Sequence, residues 1–125
     1  MAGALGEEPA VPVDIPPLLA KVPEKGDFHG TWLRTDGTYR LRIGKGGDGE
    51  EVAVQYFNPR PIKVESAKFS RIGERLTLTV VLRDRGYPGS TYRLVFVPEK
   101  RILAGSYTVP GMETFEVLFQ PARAQ

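Results

Sequence analysis

The chain predicts an all-β fold: an eight-stranded antiparallel up-and-down β-barrel preceded by a short helical turn. Three observations carry that expectation. Beyond Phe28 no apolar pattern of helical spacing reaches the length of a helix. Turn residues recur about every ten to fifteen positions over the same stretch. Between them, apolar and polar side chains alternate. The pattern is clearest in Arg75-Leu-Thr-Leu-Thr-Val-Val-Leu82, where Leu76, Leu78, Val80 and Leu82 share one face and Thr77 and Thr79 the other. Every connection is short enough for a hairpin. Rolling one apolar face inward closes the sheet and removes its edges. A sandwich of the same strands is the alternative.

Residues 1–27 read as a Pro-rich arm with five carboxylates against two lysines. Within it Ile15, Leu18, Leu19 and Val22 have helical spacing, with Pro16 and Pro17 at the start. A helical turn near 15–22 is therefore expected, plugging one end of the barrel. Residues 1–6 have neither the basic nor the apolar region of a signal peptide. They read as what remains where a leader was exchanged for a starting methionine, and a periplasmic or secreted location is expected.

The barrel domain spans 28–120, followed by a tail, 121–125. Its strands are expected at 28–35, 38–45, 50–57, 61–69, 75–84, 91–98, 101–109 and 113–119. Asp36-Gly37 is the strongest hairpin signal and sets Trp32 opposite Leu41 and Gly30 opposite Ile43. A loop at 46–49 sets Ile43 opposite Val52, and one at 58–60 sets Tyr56 opposite Ile62 and Val54 opposite Val64. Strand 61–69 then changes phase, since Ile62 and Val64 are even-numbered and Ala67 and Phe69 odd. A β-bulge near Glu65-Ser66 restores the face and brings Phe69 to Leu76. An odd loop at 85–90 is expected to set Leu82 opposite Leu94. Glu99-Lys100 sets Phe96 opposite Leu103 and Tyr92 opposite Tyr107, and Pro110-Gly111-Met112 sets Tyr107 opposite Phe115. The resulting inward set carries no charge.

Composition removes several function classes. With no cysteine there is neither a disulfide nor a thiolate. With a single histidine, His29, whose neighbours point inward, zinc sites of the usual ligands are excluded and no metal or cofactor is expected. No Gly-x-Ser-x-Gly elbow is present. Gly44-Lys-Gly-Gly-Asp-Gly49 lacks the Gly-Lys-Ser/Thr of a P-loop, and Asp48, Glu50 and Glu51 lack EF-hand spacing. The net charge of +2 is too dilute for a nucleic-acid footprint. No apolar run approaches the roughly 20 residues of a membrane span.

Alternate loops of such a barrel share one end, so loops 36–37, 58–60, 85–90 and 110–112 form one rim. It collects Arg34, Asn58, Arg60, Arg83, Arg85, Tyr87 and Met112. Asn58, Arg60, Arg83, Arg85 and Tyr87, with Tyr56 and Tyr92 behind them, are the candidate ligand-binding residues. Guanidiniums beside an aromatic suit a carboxylate, phosphate or sugar. The plainer reading is that Pro and Gly merely close turns and the arginines are solvated. Likewise, the tyrosines either line a cavity or fill the barrel.

The start Phe28-His-Gly30-Thr-Trp32, after a short helical turn, resembles the Phe-x-Gly-x-Trp start of lipocalins and other calycins. That resemblance implies a calycin-like barrel with Trp32 at its closed end, beneath a basic side chain near the last strand, here Arg123. The chain departs from that group in its tight first hairpin and in lacking a long helix after the last strand. Asn58-Pro59-Arg60-Pro61-Ile62 and Tyr87-Pro88-Gly89-Ser90-Thr91-Tyr92 are similar to segments of small uncharacterised bacterial proteins, a likeness that implies no activity. Three functions remain open. The first is a non-catalytic barrel that binds a small ligand or a partner at the rim of loops 58–60 and 85–90. The second is a small barrel enzyme acting on an anionic or sugar-like substrate through Tyr and Arg. The third is a structural or interaction domain, monomeric or homodimeric, with outward Val81, Val95 and Leu118 as contact surface.

Overall fold

The computed structural model describes residues 22–122. The helical turn expected at 15–22 and the basic residue Arg123 lie outside the described residues, apart from Val22 itself. The described chain begins with a 3₁₀ turn, Lys25–Phe28. Nine strands follow: β1 (Gly30–Arg34), β2 (Arg40–Ile43), β3 (Val54–Phe57), β4 (Pro61–Ile62), β5 (Val64–Ile72), β6 (Arg75–Asp84), β7 (Tyr87–Val97), β8 (Ile102–Thr108) and β9 (Thr114–Pro121). They form one antiparallel sheet in the order β4-β3-β2-β1-β9-β8-β7-β6-β5. Its two ends, β4 and β5, are consecutive in the chain, so the chain itself carries the sheet round into a nearly closed barrel. The seam is drawn together by an isolated bridge from Glu51 to Lys68. Two backbone bonds reinforce it: Val52 to Ala67 at 3.1 Å and Phe69 to Glu50 at 2.8 Å.

The count is nine rather than eight because the stretch expected as 61–69 is broken at Lys63. Pro61 and Ile62 pair with β3, whereas 64–72 pair with β6. The register shift between Val64 and Ser66 is the expected bulge. It turns Ala67 and Phe69 into the core, where both are buried.

Four pairings follow the turn chemistry directly. Trp32 lies opposite Leu41, Tyr56 opposite Ile62, Tyr92 opposite Tyr107 and Tyr107 opposite Phe115. Three registers differ. Ile43 meets Val54 rather than Val52, because Glu50 to Val52 leave β2 to bond β5 across the seam. That detour also ends β4 before Val64 reaches Val54. Phe69 meets Leu78 rather than Leu76, the turn having tightened to Gly73-Glu74. Leu82 meets Ser90, and Leu94 meets Leu78. There the loop expected at 85–90 shrinks to Arg85-Gly86. Gly86 has φ +82°, a conformation that glycine adopts without steric cost, so it takes the apex. Pro88-Gly89 instead lies within β7, at a register shift between Leu82 and Arg83.

The interior is a column of rings. At one pole Phe28 packs edge-on to Phe69 at 5.1 Å and Trp32 edge-on to Phe96 at 6.4 Å. Midway, Phe119 meets Tyr92 at 5.4 Å. Toward the other pole Tyr92 meets Tyr107 at 4.4 Å and Tyr56 at 5.5 Å. The lower pole is covered by the 3₁₀ turn. Lys25 Nζ donates to Gly47 O at 2.9 Å and Gly49 O at 2.6 Å, Arg71 donates to Pro23 O at 2.7 Å, and Trp32 Nε1 donates to Phe28 O at 2.9 Å. Phe115, expected to face inward, is 42 % exposed at the upper rim. It sits at the start of β9, past the layer of rings that closes the core.

Candidate functional site

At the upper rim the β3–β4 turn and the β6–β7 turn lie side by side. The link is a 2.6 Å hydrogen bond from Asn58 Nδ2 to the Tyr87 hydroxyl. Arg60 reaches across to the same neighbour. Its Nη2 donates to Arg85 O at 3.4 Å and its Nη1 lies 3.6 Å from Asp84. Asp84 organises the second turn: its carboxylate accepts the amides of Lys63 at 2.8 Å and Arg85 at 2.7 Å. Those two amides, with a smaller contribution from Arg60, hold the Asp84 carboxyl below its ordinary range. The ring of Tyr87 meets Tyr56 edge-on at 6.1 Å. Of the residues expected at the site, Asn58, Arg60, Arg85 and Tyr87 thus stand together at the surface. Tyr56 and Tyr92 stand beneath them, fully buried.

Arg83 does not join them. Its guanidinium leaves the barrel to pair with Glu65 at 2.8 Å, with more than half of its side chain exposed. The shift at Leu82/Arg83 aims it along the outer wall.

Below the rim lies a group that sequence alternation alone underrates. Arg34 shares its parity with Gly30 and Trp32, and it points inward. The interior set is therefore not free of charge. Only 11 % of its side chain is exposed. It bonds the Asp36 carboxylate through two nitrogens, Nε at 2.6 Å and Nη2 at 3.0 Å. Nη1 donates to the Tyr92 hydroxyl at 2.9 Å. Its guanidinium carbon sits 4.0 Å from the centre of the Tyr39 ring and 5.7 Å from that of Tyr107. The Tyr92 hydroxyl in turn lies 2.8 Å from that of Tyr56. Burial opposes the Arg34 charge, but Asp36 and Tyr92 outweigh it and hold the guanidinium above its ordinary value. Asp36 is correspondingly lowered, chiefly by the Arg34 hydrogen bond.

The tyrosines respond to burial. Tyr92 is pushed up to about 12 by desolvation, which outweighs the hydrogen bonds from Tyr56 and Arg34 that favour its anion. Tyr56 and Tyr107 are raised for the same first reason. All three stay protonated at neutral pH and present hydroxyls as hydrogen-bonding groups. Ser90 is fully buried, with no hydrogen-bond partner on its Oγ that meets the usual geometry, although the hydroxyl is close enough to that of Tyr107 to favour its anion.

Among the described residues, no three His, Cys, Asp or Glu side chains are grouped to hold a metal ion, and no helix is long and apolar enough to cross a membrane. Comparison of the chain with protein-family models, curated proteins and solved structures found no match.

Proposed function

We propose that the protein is a non-catalytic, calycin-like binding barrel that takes a small ligand on its upper rim. The observation that carries this is the Asn58–Tyr87 hydrogen bond with Arg60 laid across the adjoining turn. It fixes an amide, a phenol and a guanidinium in one patch on a rigid scaffold. Arg85 adds a second guanidinium on the neighbouring turn, exposed and without a partner among the described residues. That chemistry suits a carboxylate, a phosphate or a sugar acid. Because rings fill the interior, the ligand rests on the barrel and not within it. The raised tyrosines favour binding over proton abstraction.

The test is a titration followed by amide resonances, with inorganic phosphate and glucuronate as probes. Shifts should cluster at 58–60 and 84–87 and should vanish in Arg60→Gln and Tyr87→Phe. Shifts elsewhere, or the same response in both variants, would remove the site.

A second reading, a partner-binding module, has its own observation. On the outer wall Val95, Ala104 and Leu118 lie directly abreast on β7, β8 and β9. They border a groove of about 640 Å³, and Leu118 is 44 % exposed. Sedimentation of the wild type and of Leu118→Glu distinguishes a homodimer on this face from a monomer.

A further inference from the structure

At the opposite pole, a cleft of about 490 Å³ opens beneath the barrel, between the 3₁₀ turn and the β7–β8 hairpin. Its lining includes the buried Trp32, the half-buried Phe96, and Pro98 and Pro121. His29 and Arg101 stand at its mouth, both exposed and without a side-chain partner among the described residues. Gly30, also in the lining, has φ +134° and leaves open the space where a side chain would begin.

Arg101 is the telling residue. It closes the turn between Val97 and Ile102, with its amide bonded to Val97 O at 2.8 Å. Its φ is +55°, the one positive value at a non-glycine position among the described residues. Glycine or asparagine takes that conformation with less strain, and strained non-glycine backbone gathers at functional sites. No hydrogen bond or ion pair of the side chain among the described residues accounts for keeping arginine there. Arg101 does line the cleft.

We propose that this cleft is a second binding site, for a cyclic monocarboxylic acid of one or two rings, with Arg101 as its anion anchor. Phe96, Pro98 and Pro121, the apolar part of a largely polar lining, take the ring. The guanidinium takes the carboxylate in a paired, charge-assisted contact. His29 offers a hydrogen bond to a ring substituent, and the one guanidinium of the lining matches a single carboxylate. The size suits a small-molecule pocket. The site is independent of the upper rim and shares no residue with it.

Trp32, the only tryptophan in the chain, reports on the cleft directly. The full chain is titrated with 4-hydroxybenzoate and with the uncharged 4-hydroxybenzamide, following Trp32 emission. The acid should give a saturable change and the amide one at least about tenfold weaker, as expected for loss of a charge-assisted bond. Arg101→Gly and Arg101→Asn should both keep the wild-type Tm or exceed it while losing the acid response by about tenfold or more. Equal responses to acid and amide, an unaltered response in both variants, or no saturable change with the acid would overturn the proposal. So would a large fall in Tm in both variants, because it would show that Arg101 is retained for stability. Arg60→Gln should leave this titration unchanged, which separates the failure of one site from that of the other.

Discussion

The Arg34–Tyr92–Tyr56 chain makes a graded prediction, because its three members do not lose the same things on truncation. Tyr92→Phe removes the acceptor of a 2.9 Å bond from Arg34 and the partner of a 2.8 Å bond to Tyr56. The first is a hydrogen bond to a charged group, worth about 1.5–3 kcal/mol, and the second leaves a buried hydroxyl unsatisfied at about 1–3 kcal/mol. Arg34 keeps both of its bonds to Asp36, which moderates the first loss, so the total should be about 2–4 kcal/mol. Tyr56→Phe removes only the neutral bond and leaves Tyr92 bonded to Arg34, at about 1 kcal/mol. The double variant should cost less than the sum, because the Tyr56 hydroxyl that Tyr92→Phe orphans is then absent as well. Urea denaturation followed by Trp32 emission measures all three, with an unchanged m-value as the check that two-state unfolding holds. For a domain of this size the Tyr92→Phe loss corresponds to a fall in Tm of roughly 10–20 °C. A Tyr56→Phe loss equal to or larger than that of Tyr92→Phe, or strict additivity, would refute the reasoning.

Further expectations follow from the same geometry. A Cβ on Gly105 would sit 1.8 Å from Arg93 O, a backbone atom that cannot swing aside; Gly105→Ala should cost about 3 kcal/mol or more by thermal or urea unfolding. Tyr92 is pushed up to about 12 in the folded protein, above the ordinary tyrosine value near 10. Stability is therefore complete below pH ~10 and falls as pH rises toward 12, by up to about 1.4 kcal/mol per pH unit for each such tyrosine. Complete tyrosinate absorbance with Trp32 emission still native would contradict this. Asp36 is lowered by Arg34, so its contribution is present above the unfolded carboxyl value and disappears as pH falls through the folded one. The gap in urea midpoint between wild type and Asp36→Asn should accordingly close in acid.

Much of the fold was legible because alternation and turn residues agree wherever the turn is short. Asp36-Gly37 fixed Trp32 to Leu41, and the phase change between Ile62 and Phe69 located a bulge that the register shift at Val64/Ser66 reproduces. The misread registers share one property. Ile43–Val54, Phe69–Leu78 and Leu78–Leu94 are displaced from expectation by an even number of residues. A one-residue slip turns every side chain to the other face and so leaves a mark in the pattern. An even slip leaves every side chain on its own face, so alternation cannot detect it. Only long-range pairing decides it, as when Glu50 and Val52 bond β5 across the seam. The rim was legible through parity of loops, which places Asn58 beside Tyr87. Arg34 was placed at that rim, but its turn inward was not foreseen, although its even number among Gly30 and Trp32 was the available signal. A charge on an inward position looks like a break in the pattern until its partners, Asp36 two residues on and Tyr92 far along the chain, are known.

The ring column also bears on where the proposed ligand would sit. To open a chamber from the upper pole, Tyr92 would have to leave its contacts with Tyr56, Tyr107 and Phe119 and its bonds to Arg34 and Tyr56. Three aromatic contacts at about 0.5–1.5 kcal/mol each, with two hydrogen bonds at about 1–3 kcal/mol each, set a cost of roughly 4–10 kcal/mol. That is before the exposed rings are rehydrated. A drug-sized ligand returns about 0.3 kcal/mol per heavy atom, so one of about twenty atoms would spend most of its binding energy on the opening. At the rim and in the lower cleft that cost is absent, since Arg60, Tyr87 and Arg101 lie outside the ring column. A ligand that quenched Trp32 without responding to Arg101, or that shifted Tyr92 and Phe119 before any rim residue, would show that the column yields after all.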